Sequence, residues 1–370
     1  MPNEPSRALE DKIALCLSGG GYRAMVFHLG ALWRLNELGY LGRIDRFSSV
    51  SGGSITAGVL ALHWNELGVT PDAPAPCFGV VVDAVRRMAS ETIDVGSIFA
   101  GVLGPGAISD KIQSAYDKLL FHGASLQDLP DAPRFVFNAT SVQSGVLWRF
   151  SKPYMADWRV GRVLNPRVPL AVAVGASSAF PPVLSPAKLD LSEYGCVFEA
   201  GSGADLQKEP YISKAVLTDG GVYDNLGLET AWKRYKTVLV SDAGGQLAAE
   251  PQPHQDWGRH SFRVLELIDN QVRSLRKRQV IGAFEAGTRL GTYWGIRTDI
   301  SRYALTDSLP CPFDETTKIA AIATRLKKLA NEDQERLINW GYAVADAAMR
   351  KHVNPALPPA AAFPYPRGVE

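Results

Sequence analysis

The sequence predicts an α/β fold in which a mostly parallel central sheet is covered by helices on both faces. Two strand–turn–helix units stand within the first 65 residues. Short apolar runs suited to buried strands recur at 134–140, 145–150, 216–218 and 237–241. Between and after them, helical patterns run over 109–121, 227–235, 315–330 and 332–350. Strands that alternate with helices need a sheet with both faces covered.

The first unit opens on Ile13–Leu17, a short apolar run next to glycines, as expected of a buried parallel strand. Gly19, Gly20 and Gly21 follow. A helix is then expected from Tyr22 to Leu38, with Met25, Leu29, Leu32 and Leu35 at helical spacing and Gly39 as its stop. The second unit pairs a strand near Phe47–Val50 with a helix after Ser51 that carries Ile55, Val59 and Leu62. Residues 71–79 hold three prolines and form a connection. No internal repeat or low-complexity tract appears, and the Pro- and Ala-rich stretch from Pro355 to Pro366 reads as an extended tail. The chain is expected to be a single domain over 1–370. Its motif-bearing core spans 12–245, and 250–352 form a mainly helical C-terminal extension.

Composition narrows the function classes. With 46% apolar and 21% charged residues, the 370-residue chain can bury a sizeable core. A net charge of +1 lacks the basic surplus of a nucleic-acid binder. No run reaches the roughly 18–20 apolar residues of a membrane span, and the polar N-terminus lacks a signal peptide's apolar core. Cys16, Cys77, Cys196 and Cys311 are widely spaced, which suits reduced thiols in the cytoplasm. The six histidines show no metal-ligand spacing, so neither a metal nor another cofactor is expected.

Three constellations can carry chemistry. Ser18-Gly19-Gly20-Gly21-Tyr22-Arg23 lies between a strand and a helix, where glycines let several N–H groups converge beside a positive helix end. Such a spot suits a phosphate or the oxyanion of acyl transfer. Gly19, Gly21 and Ala24, with Asp45 further on, also fit the dinucleotide fingerprint. Ser48-Ser49-Val50-Ser51-Gly52-Gly53-Ser54 suits a nucleophile elbow, whose tight turn needs small residues two before and two after the nucleophile. Ser49 and Gly53 satisfy this around Ser51, whereas centring on Ser54 would place Thr56 in the turn. Asp219-Gly220-Gly221 ends an apolar run and presents a carboxylate at a strand end; Asp-Gly is also an ordinary turn.

Together with Ala176-Ser177-Ser178-Ala179-Phe180-Pro181-Pro182, these blocks resemble the patatin-like phospholipase family in order and rough spacing, over about residues 12–245. Ser49 replaces the usual first glycine of the elbow, and the region after about residue 250 matches no known pattern. The resemblance implies a three-layer sandwich and a lipid acyl hydrolase with a Ser51–Asp219 dyad and no histidine. Gly19, Gly20, Gly21 and Gly52 would supply the oxyanion hole. Arg23 would hold the loop in place or favour a phosphate head group; without the motif it reads as a solvated helix charge. The expected partner is lipid at a membrane surface, met transiently by a cytoplasmic protein that sits peripherally at the inner membrane surface.

Other residues have their own expectations. Ile98, Phe99, Val102 and Leu103, on a glycine-interrupted segment, are candidates for an apolar lip or for core. Asp224 and Asn225 are expected to cap the next helix. His28, Trp148, Trp158 and Trp294 are expected in the core. The run Arg273, Arg276, Lys277 and Arg278 suits either a solvated helix face or anionic head groups. Three rival functions remain: a Ser-Asp-His esterase using His254 or His260, a nucleotide-binding module whose first glycine loop cradles phosphate, and a phospholipase effector switched by a bound signal such as a nucleotide or by oligomerisation.

Overall fold

The structure, a computed structural model, describes residues 8–93, 107–199 and 203–370. At its centre is a parallel set of five strands. Strand β1 (Glu10–Leu17) lies between β2 (Ile44–Ser49) and β10 (Tyr235–Asp242); β3 (Arg134–Ser141) extends the set beyond β2, and β11 (Leu290–Gly295) beyond β10. An antiparallel wing, β4 (Leu147–Phe150), β5 (Tyr154–Asp157), β6 (Gly161–Leu164) and β8 (Phe198–Glu199), continues from β3. The sheet is therefore mixed and largely parallel at its centre, with the antiparallel strands gathered on one side.

Alternation along β1 shows why both faces need cover. Leu15 and Leu17 enter one core, and Ala14 and Cys16 enter a second. The first core lies under α1 (Gly21–Glu37), α2 (Gly52–His63), α3 (Gly79–Ala89) and α10 (Asn331–His352). The second receives Leu228 and Ala231, at the start and within α7 (Glu229–Trp232), and Val280 of α8 (Trp257–Glu285).

Helix α1 is buried almost all round because α10 covers the side that would otherwise face solvent. The two helices meet closely at glycines. A Cβ on Gly30 would fall 2.0 Å from Ile338 O, and one on Gly341 would fall 2.0 Å from Phe27 O. Arg34 and Arg350 close the contact on Asp346, at 2.8 and 3.0 Å.

The placement of β9 (Lys214–Asp219) decides the site. Strand β4 holds one edge of β3 along Phe137–Thr140, while β2 holds the other edge only as far as Phe137. Strand β9 takes over that second edge, antiparallel to β3, with Asp219 opposite Ala139. The C-terminal ends of β2 and β9 thus point at one another. Strand β7 (Ala187–Asp190) flanks β9.

Several sequence expectations shift. The 315–330 pattern is helical only over α9 (Phe313–Ala320), because the carbonyls of Ala320, Ile322 and Arg325 bond to Arg23 and to the Tyr22 amide. The helix expected over 227–235 is confined to α7, and the C-terminal third contributes β11 to the sheet as well as helices. Helices α3 and α5 (Leu170–Ser177) join those expected from periodicity. Trp148 and Trp294 are core residues, whereas Trp158 is half-buried.

Candidate active site

Strand β2 turns into α2 through Ser51, which has φ 51° and ψ −121°. A positive φ is sterically costly for a residue with a Cβ, on the order of 1–3 kcal/mol, and persists where surroundings impose it. Here the Val50 amide donates to Leu17 O (3.0 Å) and the Gly53 amide to Ser18 O (3.2 Å), which ties the turn to the end of β1. A Cβ on Gly52 would lie 2.1 Å from Gly21 O, so the turn admits only glycine there. The N-termini of α1 and α2 consequently converge around Ser51, and both present the positive ends of their helices.

Ser49, where a glycine is usual, is accommodated in a buried hydroxyl network. Ser54 Oγ donates to Ser49 Oγ (2.9 Å), and Ser49 Oγ donates to Val136 O (3.3 Å). Ser177 Oγ, 2.8 Å from Ser54 Oγ, donates to Asn138 O (2.7 Å) and accepts the Ser51 amide (3.1 Å). Ser177 O also accepts the Ser51 amide and the Gly220 amide, both at 3.2 Å. One residue of the Ala176–Pro182 block therefore holds both the serine turn and the Asp-Gly-Gly turn. The sequence marked the block but gave no sign of that role, because its partners lie on other elements.

Asp219 is 1% exposed at the end of β9. Its amide donates to Ala179 O (2.9 Å), its carbonyl accepts from Thr140 Oγ1 (2.8 Å), and Oδ1 accepts the Gly221 amide (2.7 Å). Oδ2 has no partner within full hydrogen-bonding distance among the described residues. Burial raises the carboxyl pKa to about 7. The Gly221 amide and the neighbouring Ser51 side chain pull it down, and the charge of Asp269 adds to the rise.

Of the four amides expected to line an oxyanion hole, that of Gly19 donates to Asn225 O (3.2 Å). Those of Gly20, Gly21 and Gly52 have no backbone acceptor among the described residues. Gly20 adopts φ 142°, and a Cβ on it would meet Ala243 O at 2.8 Å. Gly19 lies against the serine, where an added Cβ would come within 3.1 Å of Ser51 Cβ and 2.5 Å of Asn225 Oδ1.

The flanking residues sort clearly. Asp224 accepts the amide of Glu229, the first residue of α7 (2.7 Å), and that of Leu226 in the turn before it (3.2 Å). Asn225 does not act as a cap; its side chain turns toward the glycine loop instead. Arg23 is neither a solvated charge nor free for a head group. It is buried and donates to Ala320 O, Ile322 O and Ala243 O, each at 2.8 Å, and burial, reinforced by Arg297, lowers its pKa to about 10.

His28 is buried against Ser241 Oγ (2.8 Å) and Ser18 O (3.0 Å), and burial lowers its pKa to about 4. His254 and His260 are exposed, and His260 Nδ1 bonds His254 O (3.3 Å) rather than Ser51 or Asp219. Asp45 lies at the N-terminal end of the parallel strands, where it accepts the Ile13 amide (3.0 Å). A dinucleotide ribose would need an acidic residue at the opposite end, beside the glycine loop.

Ile98, Phe99, Val102 and Leu103 lie outside the described residues. Among the described residues, two large apolar side chains are exposed near the Asp219 turn: Phe180 (47%), which follows Ala179, the acceptor of the Asp219 amide, and Val222 (49%), three residues after Asp219. No His, Cys, Asp and Glu cluster suited to a metal ion is present among the described residues. None of their helices is long and apolar enough to cross a membrane.

The family model described as "Patatin-like phospholipase" matches residues 15–232, more than half of the chain. The chain belongs to the patatin-like phospholipase family, whose members are ester hydrolases. Among solved structures, human GIVD cytosolic phospholipase A2 matches with a TM-score of 0.52 at 12% identity, covering 92% of this chain and 62% of that one. The same human protein in complex with methyl gamma-linolenyl fluorophosphonate inhibitor and terbium chloride also matches at 0.52 and 12% identity, covering 91% and 58%. These likenesses concern the α/β fold, and this chain spans less than two thirds of the human protein's length. Comparison with curated proteins gives no match.

Proposed function

We propose that this chain is a serine lipid acyl hydrolase of the phospholipase A type, cleaving carboxylic esters of membrane lipids through Ser51 and Asp219. The observation that carries the reading is the buried Asp219 carboxyl, one oxygen held by Gly221 and the other without a full hydrogen bond among the described residues, beside a serine at a positive-φ strand-to-helix turn.

In this reading ionised Asp219 takes the Ser51 hydroxyl proton as Oγ attacks the ester carbonyl. The developing oxyanion is received by the amides of Gly20, Gly21 and Gly52 at the two helix N-termini. Collapse expels the alcohol, which takes the proton from Asp219 and leaves an acyl-Ser51 ester. Water, deprotonated by Asp219, then attacks that ester; the Ser51–acyl bond breaks, Ser51 Oγ takes the proton back from Asp219, and the fatty acid leaves. A carboxyl of pKa about 7 accepts a serine proton with less penalty than one of ordinary acidity, while enough of it stays ionised near neutral pH. Arg23 positions the glycine loop by fixing Ala243 and the 320–322 turn around it. The protein would meet lipid peripherally, and the exposed side chains of Phe180 and Val222 would receive an acyl chain.

The test is covalent labelling. A fluorophosphonate should modify Ser51, and Ser51→Ala should abolish both labelling and hydrolysis of short p-nitrophenyl esters and of phospholipid in mixed micelles. His254→Ala with His260→Ala should retain wild-type turnover. Labelling at Ser54, or loss of turnover in the folded double histidine variant, would overturn the dyad.

A further inference from the structure

Helix α8 is amphipathic in the reverse of the usual sense. Several of its charged residues face the protein. Arg273 donates to Gly245 O, Arg276 lies 3.6 Å from Asp224 and 3.7 Å from Glu229, and Lys277 Nζ sits 4.6 Å over the Tyr293 ring. The basic run read as solvated or head-group-facing is thus largely engaged with the fold. The outward side is apolar: Trp257, Leu265, Ile268 and Leu275 are 86%, 60%, 56% and 57% exposed. Their spacing keeps them within one stripe of the helix, about 27 Å long at 1.5 Å per residue. A stripe of this size is not an ordinary scatter of surface leucines.

Charge and position indicate what covers it. Helix α8 carries six Arg and Lys against three Asp and Glu, although the whole chain has a net charge of only +1. Arg278 is exposed with no carboxylate partner among the described residues, whereas Arg259, also exposed, pairs with Asp256 at 2.6 Å. Two copies of so basic a helix laid side by side would repel one another, whereas an anionic surface attracts it. The helix also adjoins the candidate active site. It packs against α6 (Gly221–Asp224), the short helix that follows Asp219 and carries exposed Val222, with Arg276 placed 5.9 Å over the Tyr223 ring.

We propose that the outward face of α8 is a docking surface for an anionic lipid bilayer, which it brings up to the mouth of the Ser51–Asp219 site. The apolar stripe lies in the interfacial plane, with Trp257 at the N-terminal end and Arg278 on its flank reaching a head group. This placement rests on the lipid acyl hydrolase reading, but docking is measurable without turnover.

The experiment uses the full chain carrying Ser51→Ala, floated with vesicles of phosphatidylcholine containing phosphatidylglycerol and with vesicles of phosphatidylcholine alone. The anionic vesicles should bind it more tightly, and added salt should weaken that binding. Leu265→Ser with Ile268→Ser should reduce partitioning about 10- to 100-fold, because two large side chains lose their transfer from water. In the Ser51 background the same pair should leave short-ester hydrolysis unchanged. Should the pair impair folding, Trp257→Ser, at the first residue of the helix, should still reduce binding several-fold.

Unchanged vesicle binding in folded variants would overturn the proposal. So would a wild-type dimer in sedimentation that these substitutions convert to monomer, since a second copy would then occupy the face. Vesicle binding through α8 by a wild type that hydrolyses no lipid would sustain the docking surface and refute the hydrolase reading alone.

Discussion

Replacing Asp219 with Asn keeps the shape of the side chain and removes its ability to ionise. Two quantities follow from the burial of this carboxyl. Its pKa rises from 3.8 to about 7 in the fold, so between those values the native state holds a proton that the unfolded chain has released. Native stability therefore falls as pH rises through that window, and above it the buried charge costs about 4 kcal/mol at 1.36 kcal/mol per unit. Asp219→Asn should abolish this slope. It should leave the protein more stable than wild type by about that amount near pH 8, or about 5 °C in Tm for a chain of this length, with the two converging near pH 4. Activity should move the other way. Loss of the base should lower kcat by about 10²–10⁴-fold. In the wild type kcat/KM should climb tenfold per unit of pH below about 7 and then level off. Scanning calorimetry and p-nitrophenyl ester hydrolysis across about pH 4–9 read both. A wild-type inflection that persists in the Asn variant, or a variant that is folded, no more stable and fully active, would refute the assignment of Asp219 as a buried, strained base.

Two further substitutions probe the glycine loop. Gly20→Ala places a Cβ 2.8 Å from Ala243 O at φ 142° and should lower kcat by about 10²-fold or more with KM changed only a few-fold, since amides aimed at an oxyanion act in the transition state; an equal rise in KM with kcat unchanged would place the loop in ground-state binding. Arg23→Ala strands the carbonyls of Ala243 and Ile322 and leaves Ala320 O to Arg297 alone, and should cost about 2 kcal/mol or more in urea unfolding, whereas a solvated charge would cost almost nothing.

The structure also explains which sequence departures were harmless. Ser49 in place of glycine is tolerated because Ser54 and Ser177 supply a polar niche; the sequence alone left only the question of size. The dinucleotide pattern was a coincidence of spacing, since spacing does not report the end of the sheet at which a residue stands. Strand β2 carries Asp45 at its N-terminal end and Ser51 just past its C-terminal end. The histidine alternatives could be separated only by position: His28 is sealed in the core, and His254 and His260 lie on the exposed approach to and first turns of α8.

What the sequence determined by itself is local. Glycine is required at 20 and 52 by backbone geometry and close approach, a small residue is needed around Ser51 by the turn, and an aspartate closes an apolar run at 219. Such constraints act within a few residues and leave a readable motif. The alternation of strands and helices likewise follows from local periodicity, and it gave the layered α/β fold. Tertiary structure decided everything that depends on meeting across the chain. Strand β9 occupies the edge that β2 vacates on β3, and this alone sets Asp219 beside Ser51. Arg23 finds its acceptors at 243, 320 and 322, and Ser177 finds Ser51 and Gly220. The apolar side of α8 faces out because arginines and a lysine on its other side meet the carbonyl, the carboxylates and the ring beside the site. Periodicity reveals that a helix has two unlike faces; only the packed neighbours decide which of them is turned to water.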